Sequence, residues 1–336
     1  MADRAPMVSP PTLFVDDRGA QPVSRSWEPI DRAREVLGFV FGHLSPKSAL
    51  TISRLRRVGR GLSRTVIRGR VELRPDPAGW SGEHAVRLPH PDSDDATARA
   101  CVREARVLMR LRGGLSGALR VPEVIALVPD RFGPAIVHRF IAGPTLFTAA
   151  RGPATKRAMI RLGALAAAVH AIPIDAALRR LVPGPRTARA YAEAALAPLE
   201  EARDPVLRDA LSWARAHLPP ASPSALLHGD LLAQNVVLPT GGGPPVLLDW
   251  ERSERGDPAY DLFVCLRATR RAHEPSRGHA TLFEAYRAAA GAALDEPATR
   301  IYELAMHATH HAEARRGETA YGTRAQILAR VRALLD

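Results

Sequence analysis

The sequence predicts an α+β protein with two parts, a small sheet-rich part followed by a larger helical one. Residues 46–142 contain several strand-like segments, separated by turns with Pro and Gly, and one helical pattern. After Gly143 and Pro144 the chain is rich in Ala and Leu at helical spacing, and this character continues to residue 336. A chain of 336 residues is long enough for two hydrophobic cores.

Hydrophobic spacing predicts the individual elements. Residues 1–45 should form a mobile tail, over about 1–25, and then a helix over 27–43. Residues 46–142 should contain strands at 55–58, 65–73, 83–88, 124–127 and 135–140 and a helix at 96–111. Residues 143–336 should contain helices at 156–171, 186–202, 205–217, 260–271 and 279–292, and two short strands at 235–238 and 246–248. The hairpin loop at 239–245 between those strands should bring Asp249 close to Asp230.

Composition narrows the class of protein. A hydrophobic content of 46% with 24% charged residues is typical of a soluble enzyme, and no apolar run approaches the ~20 residues that span a bilayer. The net charge of +12 comes from dispersed arginines without interleaved aromatic residues, so we expect no nucleic-acid partner. Cys101 and Cys265 are expected to be buried reduced thiols, which favours a cytoplasmic location. Residues 1–25 do not resemble a secretory signal, and the sequence leaves the oligomeric state open.

The most informative segment runs from His228 to Glu251 and reads HGDLLAQNVVLPTGGGPPVLLDWE. Asp230 is followed five residues later by Asn235, and an apolar strand then ends at a second carboxylate, Asp249. Magnesium-assisted phosphoryl transfer uses such a set, because one carboxylate orients the attacking hydroxyl while an amide and a second carboxylate hold the metal. The sequence therefore predicts Asp230 as the catalytic residue and Asn235 and Asp249 as metal ligands.

The pattern H-x-D-x-x-x-x-N is the catalytic-loop signature of the protein-kinase fold. Together with HGD, LDWE and the segment GDPAYDL at 256–262, it resembles the aminoglycoside phosphotransferase and choline kinase-like family. The resemblance implies a two-lobed protein-kinase-like fold that uses ATP and Mg²⁺ to phosphorylate a hydroxyl of a small molecule. It implies that residues 46–142 form the nucleotide-binding N-lobe, and that residues 143–336 form the C-lobe with the catalytic loop and the substrate site.

In the N-lobe, the resemblance implies a glycine-rich turn in which Gly59, Gly61 and Ser63 cover the nucleotide phosphates. Arg87 stands where protein kinases have a phosphate-binding lysine, and a plain surface arginine is the alternative. Glu104 lies on the apolar face of the helix at 96–111, so it needs a buried partner. Arg87 is the expected partner, and the alternative is a glutamate at the rim that pairs with Arg103 or a neighbouring arginine.

His138 and Phe140 are expected at the hinge, where exposed backbone would bind the base, with GTP as an alternative to ATP. The resemblance also implies that Asp257 buttresses the catalytic loop, while Asp261 caps or anchors the next helix. His228 is expected to brace the loop rather than act as a base.

Substrate and activity are less sharply predicted. One helix carries Glu303, His307, His310 and His311, which are expected to form a packed or solvated face or to line a substrate pocket. A metal site is the least favoured alternative, because one helix rarely supplies the required geometry. The slightly basic C-terminal half disfavours polycationic aminoglycosides and favours a neutral or singly charged hydroxylated molecule, such as a macrolide, a sugar or an amino alcohol. A nucleotide-binding pseudoenzyme is the rival interpretation. A protein kinase is disfavoured because only residues 250–256 separate Asp249 from Asp257.

Overall fold

The computed structural model describes residues 13–14, 28–60, 64–112, 117–130, 133–151, 155–267, 279–291, 294, 296–318 and 320–336. The chain divides into two compact units. The first unit comprises residues 1–113 and 121–142, and the second comprises residues 114–120 and 143–336.

A six-stranded sheet forms the first unit, in the order β1-β5-β6-β4-β3-β2. Its strands are β1 (Leu13–Phe14), β2 (Ala49–Arg60), β3 (Arg64–Arg74), β4 (Gly82–Pro89), β5 (Val124–Asp130) and β6 (Gly133–Arg139). The neighbouring strands are antiparallel except for the β1–β5 pair, which is parallel. Two helices pack on this sheet, α1 (Pro29–Leu44) and α2 (Asp95–Leu111).

The core of the first unit lies between the sheet and α1. Val36, Leu37 and Phe41 of the helix are fully buried against strand residues such as Ile67 and Val86. Arg32 of α1 is also buried, where it forms an ion pair with Asp130 at the end of β5 and donates a hydrogen bond to the carbonyl of Pro89. A buried guanidinium needs such partners, so this contact anchors the helix to the sheet.

Two expectations for the first unit need correction. Leu13–Phe14 forms a short strand inside the segment expected to be a tail. Strand β2 begins at Ala49, six residues before the predicted start. The error arose because β2 contains an irregularity between Ser53 and Arg56, with Arg54 at φ 53°, which interrupts the alternation that a sequence pattern relies on.

The second unit is mainly helical. Its helices are α3 (Leu146–Ala150), α4 (Lys156–His170), α5 (Ala176–Leu181), α6 (Ala188–Ala195), α7 (Ala197–Glu200), α8 (Pro205–Ala216), α9 (Pro258–Arg267), α10 (His279–Ala290), α11 (Glu296–Arg315) and α12 (Arg324–Leu335). Two small antiparallel sheets accompany them, β7 (Ala225–Leu227) with β10 (Glu254–Gly256) and β8 (Val236–Val237) with β9 (Val246–Leu247). Helix α4 packs against α9, α10 and β7.

Side-chain caps begin several of these helices where the sequence changes from loop to helix. Thr155 accepts a hydrogen bond from the amide of Ala158 at the start of α4, and Thr323 with Gln326 forms a capping box at α12. The helix predicted over 186–202 is interrupted at Leu196, because Pro198 lies in the first turn of a new helix. The predicted segment 268–271 lies outside the described residues.

His84 on β4 predicts an acid sensitivity of the first unit. Its ring is buried 4.7 Å from that of Phe41, and burial, followed by the charge of Arg139, lowers its pKa from 6.5 to about 3. His138 and Asp76 are the other charged neighbours, and Asp76 opposes the shift. Because the unfolded chain then binds more protons below pH 6.5, the free energy of unfolding should fall as the pH is lowered.

We expect His84→Leu to reduce this acid-induced loss by up to roughly 3 kcal/mol at pH 4. The measurement is urea unfolding of wild type and variant between pH 7 and pH 4. His43→Gln, a change at an exposed ring, is the matched control and should keep the wild-type slope. Equal slopes for wild type and His84→Leu would contradict the prediction.

Candidate active site

The segment from His228 to Glu251 folds so that its two halves lie side by side in the second unit. Strand β7 leads into residues 228–232, and the 3₁₀ turn Ala233–Asn235 follows. The β8–β9 hairpin then returns the chain, and the amide of Leu248 donates to the carbonyl of Asn235 at 2.8 Å. The predicted hairpin is present, and it sets Asp249 directly after a residue bonded to Asn235.

Asp230 and Asn235 are in direct contact. The Nδ2 of Asn235 donates to the backbone carbonyl of Asp230 at 2.9 Å and to its Oδ2 at 3.0 Å. Both donors of the amide are therefore used, so its Oδ1 is the atom left to bind a cation. The other carboxylate oxygen of Asp230, Oδ1, accepts a hydrogen bond from Nη2 of Arg267 at 2.9 Å.

Backbone geometry explains two residues of the motif. Gly229 has φ 79°, and a Cβ at this position would lie 2.2 Å from the carbonyl oxygen of Arg252, so no larger residue fits. Asp249 has φ 65° and ψ 59°, and the 3₁₀ turn Trp250–Arg252 begins after it. This left-handed conformation is uncommon except for Gly, Asn and Asp.

His228 is a buried structural residue. Its Nδ1 accepts from the amide of Asp230 at 3.2 Å, so the proton lies on Nε2, which donates to the carbonyl of Leu248 at 2.8 Å. The ring also packs edge-on against Trp250 at 4.8 Å. Because both nitrogens are engaged, the histidine braces the loop, as the sequence predicted.

The expected role of Asp257 is wrong, because Asp261 rather than Asp257 contacts the loop, whereas Asp261 anchors helix α9 as expected. Asp261 is fully buried, and its carboxylate accepts from the amides of His228 at 2.8 Å and Gly229 at 2.9 Å. His170 contacts the same carboxylate at 3.1 Å. Asp257 instead caps α9 through the amide of Ala259 and accepts from the hydroxyl of Tyr302 at 2.7 Å.

The pKa shifts of these two carboxyl groups differ in sign. Burial raises the pKa of Asp257, and the hydrogen bonds from Tyr302 and Ala259 only partly oppose this. Burial acts in the same direction on Asp261, but the hydrogen bond and charge of His170, with the contributions of His228, lower its pKa below the usual value. Asp261 is therefore an anion in the folded protein, and its carboxylate holds the backbone of His228 and Gly229.

We expect Asp261→Asn to lower kcat about 10–100-fold, because an amide cannot accept from both backbone amides and His170 with the same geometry. Asp257→Asn is the matched control, since it changes the same group four residues away without contacting residues 228–230, and it should mainly lower Tm. Steady-state kinetics and thermal unfolding of both variants check this. A larger loss of kcat in Asp257→Asn would contradict the assignment.

In the first unit, the predicted Arg87–Glu104 ion pair is present. A second arginine, which was not predicted from the sequence, also pairs with Glu104. Nη1 of Arg64 contacts the other carboxylate oxygen at 2.5 Å. Burial alone would raise the pKa of Glu104, but the charges and hydrogen bonds of the two arginines lower it. In the β3–β4 register Arg87 pairs with Val66, so Arg64 lies on the same face of the sheet. That register was the missing signal.

The remaining residues predicted to bind nucleotide are only partly described. Gly59 lies in β2 opposite Val66, whereas Gly61 and Ser63 lie outside the described residues. His138 is buried in β6, and burial lowers its pKa to about 4. The amide of Phe140 already donates to the carbonyl of Glu83 at 2.9 Å, so its N–H is not free to bind a base. The roles of these residues stay predictions.

The histidine-rich face of α11 is mostly packed. Glu303, His307 and His311 are buried, and His310 stacks on Tyr321 with ring centroids 3.8 Å apart. Within the described part of the chain, no helix combines the length and apolar character needed to cross a membrane.

Three solved structures with a similar fold are phosphotransferases or kinases by name. The GDP complex of wild-type aminoglycoside 2′-phosphotransferase-IIIa has a TM-score of 0.61 at 16% identity, covering 89% of this chain and 97% of that one. Macrolide 2′-phosphotransferase type I has a TM-score of 0.57 at 17% identity, covering 91% of this chain and 97% of that one. An ethanolamine kinase of Plasmodium vivax has a TM-score of 0.52 at 16% identity, covering 94% of this chain and 92% of that one. These similarities confirm the predicted protein-kinase-like fold.

A search of curated proteins gave no match. The model of the phosphotransferase enzyme family matches residues 71–302, which is more than half of the chain. The same range contains Asp230, Asn235 and Asp249. The protein therefore belongs to the phosphotransferase enzyme family.

Proposed function

We propose that this protein is an ATP-dependent small-molecule kinase that transfers the γ-phosphoryl group to a substrate hydroxyl with Mg²⁺. The observation that supports this most directly is the contact between Asp230 and Asn235. The backbone of Asn235 is in turn bonded to the residue that precedes Asp249. This arrangement provides a carboxylate for a hydroxyl, and an amide oxygen and a second carboxylate for a hard cation.

Asp230 is the proposed catalytic residue. It accepts a hydrogen bond from the substrate hydroxyl, whose oxygen attacks the γ-phosphorus while the bond to the leaving oxygen of ADP breaks. The hydroxyl proton passes to the carboxylate of Asp230. Each carboxylate oxygen offers two acceptor positions, so Asp230 can bind the hydroxyl while Asn235 and Arg267 stay bonded to it.

Asn235 and Asp249 would hold Mg²⁺ through oxygen atoms, the ligand type this ion prefers. When bound, Mg²⁺ neutralises phosphate charge and fixes the orientation of the phosphates. In the first unit, Arg87 is the proposed phosphate contact, and Glu104 orients it through the observed ion pair. Gly59, Gly61 and Ser63 are proposed to cover the phosphates, and the backbone near His138 and Phe140 to bind the base. GTP remains the alternative nucleotide.

Charges near Asp230 bear on the substrate. Arg267 contacts Asp230 directly, and the exposed Arg252 follows Asp249 by three residues. These cations disfavour a polycation and favour a neutral or singly charged hydroxylated molecule, such as a macrolide, a sugar or an amino alcohol. Among the similar structures are a macrolide phosphotransferase and an ethanolamine kinase by name. Modification of an antibiotic hydroxyl is included in this proposal, because a macrolide phosphotransferase is among the similar structures.

The test is consumption of ATP and of GTP, with Mg²⁺, over a panel of macrolides, sugars, amino alcohols and aminoglycosides. We expect ATP consumption with at least one acceptor, whose mass increases by one phosphoryl group. Thermal stabilisation by Mg·ATP without turnover on any acceptor would favour the pseudoenzyme interpretation instead.

A further inference from the structure

We infer that Arg267 is a positioning residue for phosphoryl transfer, because it holds the carboxylate of Asp230 in the orientation that receives the substrate hydroxyl. This inference rests on the proposed function of Asp230. The guanidinium Nη2 donates to Oδ1 of Asp230 at 2.9 Å, within the range of charge-assisted hydrogen bonds. No pattern in the sequence relates the two residues, which are 37 positions apart.

Helix α9 fixes the place of Arg267 relative to the catalytic segment. At the first turn of the helix, Asp261 accepts from the amides of His228 and Gly229. One turn later, Sγ of Cys265 donates to the carbonyl of Leu231 at 3.2 Å. The helix thus contacts the segment on both sides of Asp230 before Arg267 reaches the carboxylate itself.

With Arg267, both carboxylate oxygens of Asp230 accept a hydrogen bond from a side chain. Nδ2 of Asn235 occupies one carboxylate oxygen and Nη2 of Arg267 occupies the other, so rotation of the carboxylate breaks at least one bond. The side chain of Asp230 is 20% exposed and that of Arg267 is 31% exposed, so both remain accessible to a small molecule. A fixed but accessible carboxylate is what alignment of an attacking hydroxyl requires.

The contact also differs from the exposed ion pairs of the second unit. Arg189 and Glu193, for example, lie one turn apart on α6 with side chains 47% and 49% exposed, and neither touches residues 228–235 in the contacts described. Such exposed ion pairs contribute little to the free energy of unfolding. Arg189 therefore offers a matched control for the loss of a paired arginine.

The experiment compares Arg267→Ala, Arg267→Lys and Arg189→Ala in the full chain. We expect Arg267→Ala to lower kcat about 10–100-fold, while the KM for ATP stays within about twofold of wild type. Arg267→Lys should retain an intermediate kcat, because lysine keeps the charge but not the planar fork. Guanidinium chloride, at a concentration too low to change Tm, should restore part of the kcat of Arg267→Ala and none in Arg189→Ala.

A crystal structure of Arg267→Ala gives a readout that needs no substrate. We expect the carboxylate of Asp230 to leave the orientation seen here. An unmoved carboxylate, or a kcat within twofold of wild type, would overturn the inference. If the wild-type protein phosphorylates no acceptor, the proposed function fails, and the position of Asp230 in the variant still decides whether Arg267 holds it.

Discussion

Replacement of Asp230 by Ala is expected to lower kcat by about 10²–10⁴ while Mg·ATP binding stays largely intact. The loss of rate follows because the variant cannot align the hydroxyl or accept its proton. Binding should survive because Nδ2 of Asn235 also donates to the backbone carbonyl of Asp230, at 2.9 Å, and the substitution keeps that carbonyl. The amide oxygen of Asn235 should therefore keep its orientation.

Two measurements separate these effects. Steady-state kinetics give kcat, and titration calorimetry with a non-hydrolysable ATP analogue and Mg²⁺ gives the affinity. Asp209→Ala, which removes an exposed carboxylate from α8, is the control and should behave like wild type. Retained phosphoryl transfer in Asp230→Ala would count against the assigned role, whereas equal losses of affinity and kcat would place Asp230 among the metal ligands.

The sequence was sufficient for the part of the site that is local in the chain. One segment contains Asp230, Asn235 and Asp249. The apolar residues between Asn235 and Asp249 predict a hairpin, which would return Asp249 to the other two side chains. Gly229 was recognised as part of a motif, but its reason required coordinates, because the carbonyl of Arg252 that excludes a Cβ lies 23 residues away. Short-range spacing was therefore enough to predict the hairpin that brings residue 248 to Asn235.

Contacts between residues far apart in the chain could not be predicted from sequence spacing. Asp257 and Asp261 are four residues apart around the start of α9, so spacing places both near one face and cannot say which carboxylate meets the loop amides. Arg267 is missed for a similar reason, since its contact depends on how α9 packs. The contact of Arg64 with Glu104 depends on the register between β3 and β4, which the sequence alone does not give. In each case the deciding variable is the packing of elements rather than their identity.

Replacement of Asp249 by Asn is expected to weaken both Mg²⁺-dependent ATP binding and turnover. A neutral amide is a poorer ligand for a hard divalent cation than a carboxylate, so the affinity for Mg·ATP should fall by on the order of tenfold or more, with a further loss in kcat. ATP affinity without Mg²⁺ should change little. Titration calorimetry with and without the ion distinguishes this pattern from a general loss of nucleotide binding.

The choice of Asn rather than Ala follows from the backbone. At φ 65° Asp249 lies in the left-handed region, where Asn is tolerated and Ala costs roughly 1–2 kcal/mol. Asp249→Ala should therefore lower Tm as well as activity, whereas Asp249→Asn should keep the wild-type Tm and lose activity alone. If Asp249→Asn bound Mg·ATP as tightly as wild type, the carboxylate would not be a metal ligand.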